Sequence, residues 1–447
     1  MFVALQPPSL RRWGGTFVVS FIGMFTIILL LLHATLEVVD DTDLLSRIND
    51  WRSFQLQQVD EGDQQAVPKI RTDNDNKRKK KRPFDPTPRT AFEQDHPPSD
   101  LQRIRASVEA LRQPSPATHA TDQSHYNVHD CPDEPVVGYP HAWSAQDVLS
   151  DWNPDDTDIP ATIHRGLCIF DWQIKQDRRK AKSYRAAERP FVLRNHSDML
   201  RVAERWNAAG YLQNLFGSAP QRTDHAASNH LMFSRTYPGL RLPAGWTPPI
   251  DTVQMSYAEW RIRADRLQTS PNQASQDHWY FRSTADCVKR GGLTALCDEL
   301  PFFSPAPNDK AVFMVDPTAY RGINCRLGMK GIIAETHFDN SRNWVTVMGG
   351  QRRYVLAHPE QCPSLELFPM GHPSGRHGSQ DWSHAVLTPE FQALKVNEVV
   401  LDVGDALYLP TFWFHFIVSL NISYQCNARS GQTFEFQKTI EDCGFQI

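Results

Sequence analysis

Seven short apolar runs between residues 311 and 418 limit what this chain can become: Ala311-Val-Phe-Met-Val315, Ile332-Ile-Ala334, Trp344-Val-Thr-Val-Met348, Arg353-Tyr-Val-Leu356, Glu398-Val-Val-Leu401, Ala406-Leu-Tyr-Leu409 and Phe416-Ile-Val418. Each stops at a turn before it is long enough for a helix, the signature of short buried strands. Gly349-Gly350 and Val403-Gly404-Asp405 read as hairpins between successive runs. Seven or more such strands suit a jelly roll or barrel, whose mouth can gather residues that are far apart in sequence.

His337-Phe338-Asp339 and His415 are such residues. His337 follows the apolar run that starts at Gly331, and alternation along a strand sends side chains two apart to one face, so His337 and Asp339 can converge. Two imidazoles and a carboxylate can hold a non-heme Fe(II) on one side and leave the other side open to an oxo-acid and O2. His415, among Trp413, Phe414 and Phe416, also fits a hydrogen-bonded core histidine. The upstream His–Asp pair, the glycine–aspartate turn and a charged residue between them favour the metal reading. A second triplet, His196-Ser197-Asp198, follows Phe191-Val-Leu-Arg-Asn195 in polar sequence with no comparable partner, and reads as an ordinary loop histidine. No acid pair for hydrolysis, serine triad or phosphate loop is visible.

The N-terminus has a different character. Residues 13–36 are 24 positions without Lys, Arg, Asp or Glu, roughly 36 Å as a helix against a hydrocarbon core of about 30 Å. A transmembrane anchor is preferred to a cleaved signal, because His33-Ala34-Thr35-Leu36 is a poor cleavage site. Arg11 and Arg12 before the span, with Glu37, Asp40, Asp41 and Asp43 after it, place residues 1–12 in the cytosol and the rest in the lumen of the endoplasmic reticulum or Golgi. Residues 37–125 read as a disordered stem rich in Asp, Gln, Pro, Lys and Arg. Leu101, Ile104, Val108 and Leu111 suggest a short amphipathic helix within it. The basic run Lys77–Arg82 is a low-information match to a nuclear signal, a cleavage site or an anionic-surface contact, and equally suits a solvated linker. A net charge of −4 gives no global pull toward nucleic acid.

From about 126 the composition becomes that of one folded domain, with 126–299 as a mixed α/β flank and 300–447 as the β-rich part. Pro190-Phe-Val-Leu193 is strand-like, Ser197 to Phe216 reads as one helix, Met255 to Trp260 opens another, and His278-Trp-Tyr-Phe281 returns to strand. All eight cysteines lie in this part, an even number that permits disulfides in an oxidising lumen, and none forms a CxxC pair. Cys325 and Cys426, in apolar strand contexts, are expected as buried free thiols. Asn195-His-Ser197 and Asn421-Ile-Ser423 match glycosylation acceptors, the second expected in a core strand.

His337-Phe-Asp339, Asn343, Gly350-Gln-Arg352-Arg353, Val403-Gly-Asp405, Leu407-Tyr-Leu-Pro410 and Trp413-Phe-His415 together resemble the JmjC, or cupin-like, family of Fe(II) and 2-oxoglutarate oxygenases. The nearest likeness is to the branch of the asparaginyl hydroxylase that acts on hypoxia-inducible factor. The resemblance spans roughly residues 300–431, and Pro190–Arg194, Tyr211-Leu212 and Met255–Trp260 look like that branch's N-terminal flank. Cys325-Arg-Leu-Gly-Met329, Arg376-His-Gly-Ser-Gln-Asp-Trp382 and Gln425-Cys-Asn-Ala-Arg-Ser-Gly431 look like the mark of a membrane-linked or microbial subgroup with no substrate to name.

The resemblance implies a mainly β double-stranded β-helix, with His337, Asp339 and His415 on Fe(II) and with 2-oxoglutarate and O2 as cosubstrates. Arg352 stands where the family usually offers a lysine to the far carboxylate of 2-oxoglutarate, and arginine can grip that group bidentately. Ala334 stands where a helpful hydroxyl is common. Tyr280, Asn343 and Asn427 fall near family positions in the cosubstrate pocket, although core packing serves Tyr280 equally and a one-residue shift would substitute Cys426 for Asn427. The implied activity is hydroxylation or demethylation of a protein substrate. Arg352 and Ala334 also permit an inactive, membrane-tethered metal-binding module. A nuclear histone demethylase draws only on the basic run and the broad family.

Overall fold

The computed structural model describes residues 98–112, 128–135, 139, 142–160, 166–236, 240–270, 273–305, 313, 315–316, 319–384 and 388–445. The apolar span 13–36, the basic run and most of the expected stem lie outside the described residues. No helix among the described residues is long and apolar enough to cross a membrane.

Ten strands position the site: β1 (His230–Leu231), β2 (His278–Asp286), β3 (Tyr320–Gly328), β4 (Ile333–Phe338), β5 (Asn343–Gly349), β6 (Arg352–Ala357), β7 (Lys395–Leu401), β8 (Ala406–Leu409), β9 (Phe414–Ser419) and β10 (Ser423–Ser430). They form two facing sheets. The smaller runs Trp143–Ser144, β7, β6, β9, β4, β1; the larger runs Ile169–Asp171, Phe191–Arg194, β8, β5, β10, β3, β2, Gln221–Ala226, Asp251–Met255. Of the expected strand at 311–315, only Phe313 and Val315 are described, and they are buried outside any strand.

The two glycine turns are not hairpins. β5 pairs with β8 and β10 in the larger sheet, whereas β6 pairs with β7 and β9 in the smaller one. Gly349-Gly350 therefore carries the chain from one sheet to the other, and Val403-Gly404-Asp405 does the same between β7 and β8. Gly350, at φ 67°, tolerates no side chain there, because a Cβ would collide with the Ile422 carbonyl.

Strand alternation divides the apolar side chains. Val345, Val347, Tyr354, Leu356, Leu407 and Ile417 meet between the sheets. Their neighbours Trp344 and Met348 pack outward against the helices, and Val355, Phe414, Phe416 and Val418 form the outer core of the smaller sheet. Both faces of β4, β5, β6 and β9 are buried. These strands consequently read in the sequence as continuous apolar runs rather than as an apolar–polar alternation.

The N-terminal flank differs from expectation in two places. The stretch expected as one helix is two, Ser197–Trp206 and Tyr211–Phe216, separated at Gly210, which adopts φ 76°. The amphipathic helix within the expected stem, α1 (Pro98–Leu111), docks on the folded domain: Ile104 is 4% and Val108 0% exposed, and Arg112 just beyond it reaches the Val403 carbonyl and Asp405.

All eight cysteines pair, as Cys131–Cys168, Cys287–Cys297, Cys325–Cys426 and Cys362–Cys443. Cys325 and Cys426 are thus not free thiols; they face one another in the β3–β10 register. Asn421 lies in the turn between β9 and β10 rather than in a core strand, and its side-chain oxygen accepts from the Gln351 N–H.

Candidate metal centre

His337 and His415 are direct cross-strand partners on β4 and β9, with ring centroids 4.2 Å apart. Their common face depends on a bulge. Ala334 pairs with Ile417 but His337 pairs with His415, so β4 spends one residue more than β9 over this interval. Without that extra residue His337 would share the outward face of Ile333. With it, His337 joins Ala334 on the inner face, and Asp339 follows it.

Among the described residues, His337, Asp339 and His415 are buried and each offers one donor atom, all within 4.8 Å of one another. The imidazoles are prepared for a cation. His337 Nδ1 lies 2.7 Å from the Glu335 carbonyl and His415 Nδ1 lies 3.0 Å from the Trp413 carbonyl. Only an N–H can bond a carbonyl, so Nδ1 carries the proton in each ring and Nε2 keeps its lone pair. Burial, reinforced at His337 by the neighbouring imidazoles, pushes both rings below the ordinary histidine range and keeps them neutral. Burial raises Asp339, but the charge of Arg429, with help from Arg376, outweighs it and holds this carboxyl well below its usual range. Two neutral nitrogens and one ionised oxygen suit a divalent transition metal.

The other expected site residues form two groups. Asn343 donates to Asp339 Oδ2 at 3.1 Å, and Asn427 donates to Asn343 at 3.0 Å while accepting from Arg326 at 2.8 Å. These asparagines therefore orient the carboxylate, and neither bonds to Arg352. Alternation settles the choice at 426/427: Cys426 pairs outward in its disulfide and Asn427 faces inward.

Deeper in the roll, Arg352 is fully buried. It donates to Tyr280 Oη at 2.7 Å, Gln425 Oε1 at 2.8 Å, Ser423 Oγ at 2.9 Å and the Arg326 carbonyl at 2.9 Å. All these partners are neutral oxygens, and no carboxylate is among them.

Several site residues were not legible beforehand. Arg429 lies opposite Asn343 in the β5–β10 register and its Nη2 is 2.9 Å from Asp339 Oδ2. Arg376 Nη1 is 3.5 Å from Asp339 Oδ1. His377 stacks on His337 at 5.1 Å and forms a strand-like bridge with it, so the segment between β6 and β7 roofs the triad. The second triplet is elsewhere: His196 is buried between Trp172 and Phe313.

A family model described as a cupin-like domain matches residues 177–431. The chain belongs to the cupin-like domain family. Within the matched stretch lie the whole roll from β1 to β10 and every residue of the triad. Among curated proteins, the chain is similar to a lysine-specific demethylase JMJ31 of Arabidopsis thaliana, 27% identical over 26% of this chain and 23% of the relative. It is also similar to tRNA wybutosine-synthesizing protein 5 of Danio rerio, 31% identical over 23% of this chain and 30% of the relative. A third relative, JmjC domain-containing protein D of Dictyostelium discoideum, is 27% identical over 23% of each chain. The chain thus spans less than a third of the length of these relatives.

Proposed function

We propose that this cupin-like protein is an Fe(II)- and 2-oxoglutarate-dependent dioxygenase that hydroxylates a C–H group of a protein substrate. The observation that carries this reading is Arg352: a guanidinium with no exposure, held only by neutral oxygens, leaves a buried positive charge that an anion would balance. Arg352 stands opposite Ser419 on β9, roughly 13 Å along the strand from His415. A short dicarboxylate held at Arg352 would extend from there toward the triad.

With Fe(II) bound, the metal would couple O2-driven decarboxylation of 2-oxoglutarate to succinate and CO2 with conversion of a substrate C–H to C–OH. The chain's own residues do the rest. His337, His415 and Asp339 would hold the metal through two imidazole nitrogens and one carboxylate oxygen. Arg352 and Tyr280 fix the far carboxylate, Asn343 and Asn427 hold Asp339 in one orientation, and the roof segment keeps bulk water out.

The alternative of an inactive module rested on Arg352 and Ala334. Its Arg352 limb weakens, because four neutral acceptors leave the guanidinium charge unbalanced and one Nη2 N–H for an anion. A protein substrate is preferred on the likeness to the lysine-specific demethylase and on the resemblance to the asparaginyl hydroxylase branch, while the likeness to the tRNA wybutosine-synthesizing protein makes an RNA substrate the second reading. Four disulfides support a domain folded in an oxidising lumen behind an anchor at residues 13–36.

The test is anaerobic binding of Mn(II) and 2-oxoglutarate by the full chain. Wild type should take up both, His337→Ala neither at useful affinity, and Arg352→Ala the metal alone. Retention of 2-oxoglutarate by Arg352→Ala would remove the basis of the assignment.

A further inference from the structure

The two sequence stretches that the activity leaves unexplained, around Arg376 and around Arg429, both end at one carboxylate. Asp339 Oδ2 takes Arg429 Nη2 at 2.9 Å and the Asn343 amide at 3.1 Å, so its lone pairs on that side are occupied. Oδ1 has the weaker approach of Arg376 Nη1 at 3.5 Å, whose same nitrogen donates to the Phe338 carbonyl at 3.3 Å. Oδ1 is therefore the oxygen left for a cation, and Asp339 would ligate through one oxygen.

The charges also matter. Arg429 is 13% and Arg376 24% exposed in their side chains, so neither guanidinium is well screened, and the Arg429 Nε is buried without a hydrogen-bond partner among the described residues. Asp339 already meets a guanidinium on each of its oxygens before any divalent ion arrives. A cation entering this collar meets like charge, and an anion that joins it on the open face restores the balance.

We infer that Arg429, assisted by Arg376, is a positioning residue that weakens metal binding on its own and makes metal retention depend on a bound anionic cosubstrate. This rests on the metal reading above. By linkage the dependence is mutual, the metal strengthening the anion as the anion strengthens the metal. The device would keep the centre from holding a redox-active ion while its cosubstrate is absent.

Mn(II) is the probe, followed by electron paramagnetic resonance of the free ion, with the full chain, with and without 2-oxoglutarate. Arg429→Gln removes the charge but keeps a donor; Arg429→Lys keeps the charge. Without 2-oxoglutarate, Arg429→Gln should bind Mn(II) about tenfold more tightly than wild type and Arg429→Lys about as wild type does. The gain in Mn(II) affinity on adding 2-oxoglutarate should shrink about tenfold in Arg429→Gln alone. A merely structural arginine moves the other way, so weaker Mn(II) binding in both variants overturns the inference. Unchanged affinity in Arg429→Gln, with its thermal melting preserved, overturns it as well. Absence of Mn(II) binding by wild type sinks the metal reading itself, which separates the two failures.

Discussion

Arg352 departs from the pattern of the family it resembles, and the proposed function gives that departure a use. Arginine stays charged in any surroundings and spreads its donors over a plane, so four neutral oxygens can hold it rigidly while its charge stays uncompensated. Lysine at 352 could not satisfy the same four acceptors. Arg352→Lys should therefore keep Mn(II) binding but lose about tenfold or more in 2-oxoglutarate affinity, measured by calorimetry. His377 gives a second expectation at this scale. Burial pushes it down to about 3 from an ordinary 6.5, so between those values only the unfolded chain binds the proton. Stability from this group is present above about 6.5 and falls as the pH drops toward 3, by on the order of 1–2 kcal/mol at pH 5. Denaturant unfolding of the metal-free protein between pH 7 and 5 should show a shallower loss in His377→Gln than in wild type. An equal or steeper loss would contradict the assignment. Arg376, His377 and Arg429 fall in stretches that stand out in the sequence, but their place at the triad does not, because each depends on the register of β10 or on the path of the roof segment.

At the level of elements, the strands were readable and their partners were not. Short apolar runs give away β5, β6, β7 and β8, but a glycine turn looks the same whether it returns a strand to its neighbour or passes it to the opposite sheet. The burial of both faces decides that question, and it is a tertiary property. The bulge in β4 was equally hidden, although His337 depends on it. The metal triplet was legible because its two-residue spacing survives beyond the bulge. α1 was visible as a helical spacing yet was assigned to the stem, since an amphipathic stripe does not say what it packs against. Its docking has a measurable consequence. Ile104→Ala, at a site 4% exposed, should cost the folded domain about 2–3 kcal/mol by denaturant unfolding. A loss below about half a kcal/mol would mean that α1 is an appendage.

On the scale of the whole molecule, four disulfides each staple one region: two within the flank, one across β3 and β10 of the larger sheet, and one from the segment after β6 to the C-terminus. Cys362–Cys443 anchors the helix Gln437–Asp442 beneath the roof segment, and Cys131–Cys168 closes the flank on itself. Protein made in an oxidising compartment should show no reactive thiol before reduction and eight after reduction and unfolding, the full cysteine count. Free thiols in the native protein would argue against a lumenal domain. The even cysteine count gave a hint of this, but the pairing of Cys325 with Cys426 required knowing that β3 and β10 are neighbours. The most direct test of the metal centre is an anomalous difference map from crystals of the protein grown anaerobically with Mn(II) and 2-oxoglutarate. A single strong peak shared by His337 Nε2, His415 Nε2 and one oxygen of Asp339, with 2-oxoglutarate reaching from it to Arg352, is expected; a vacant triad in crystals that bind Mn(II) elsewhere would contradict it.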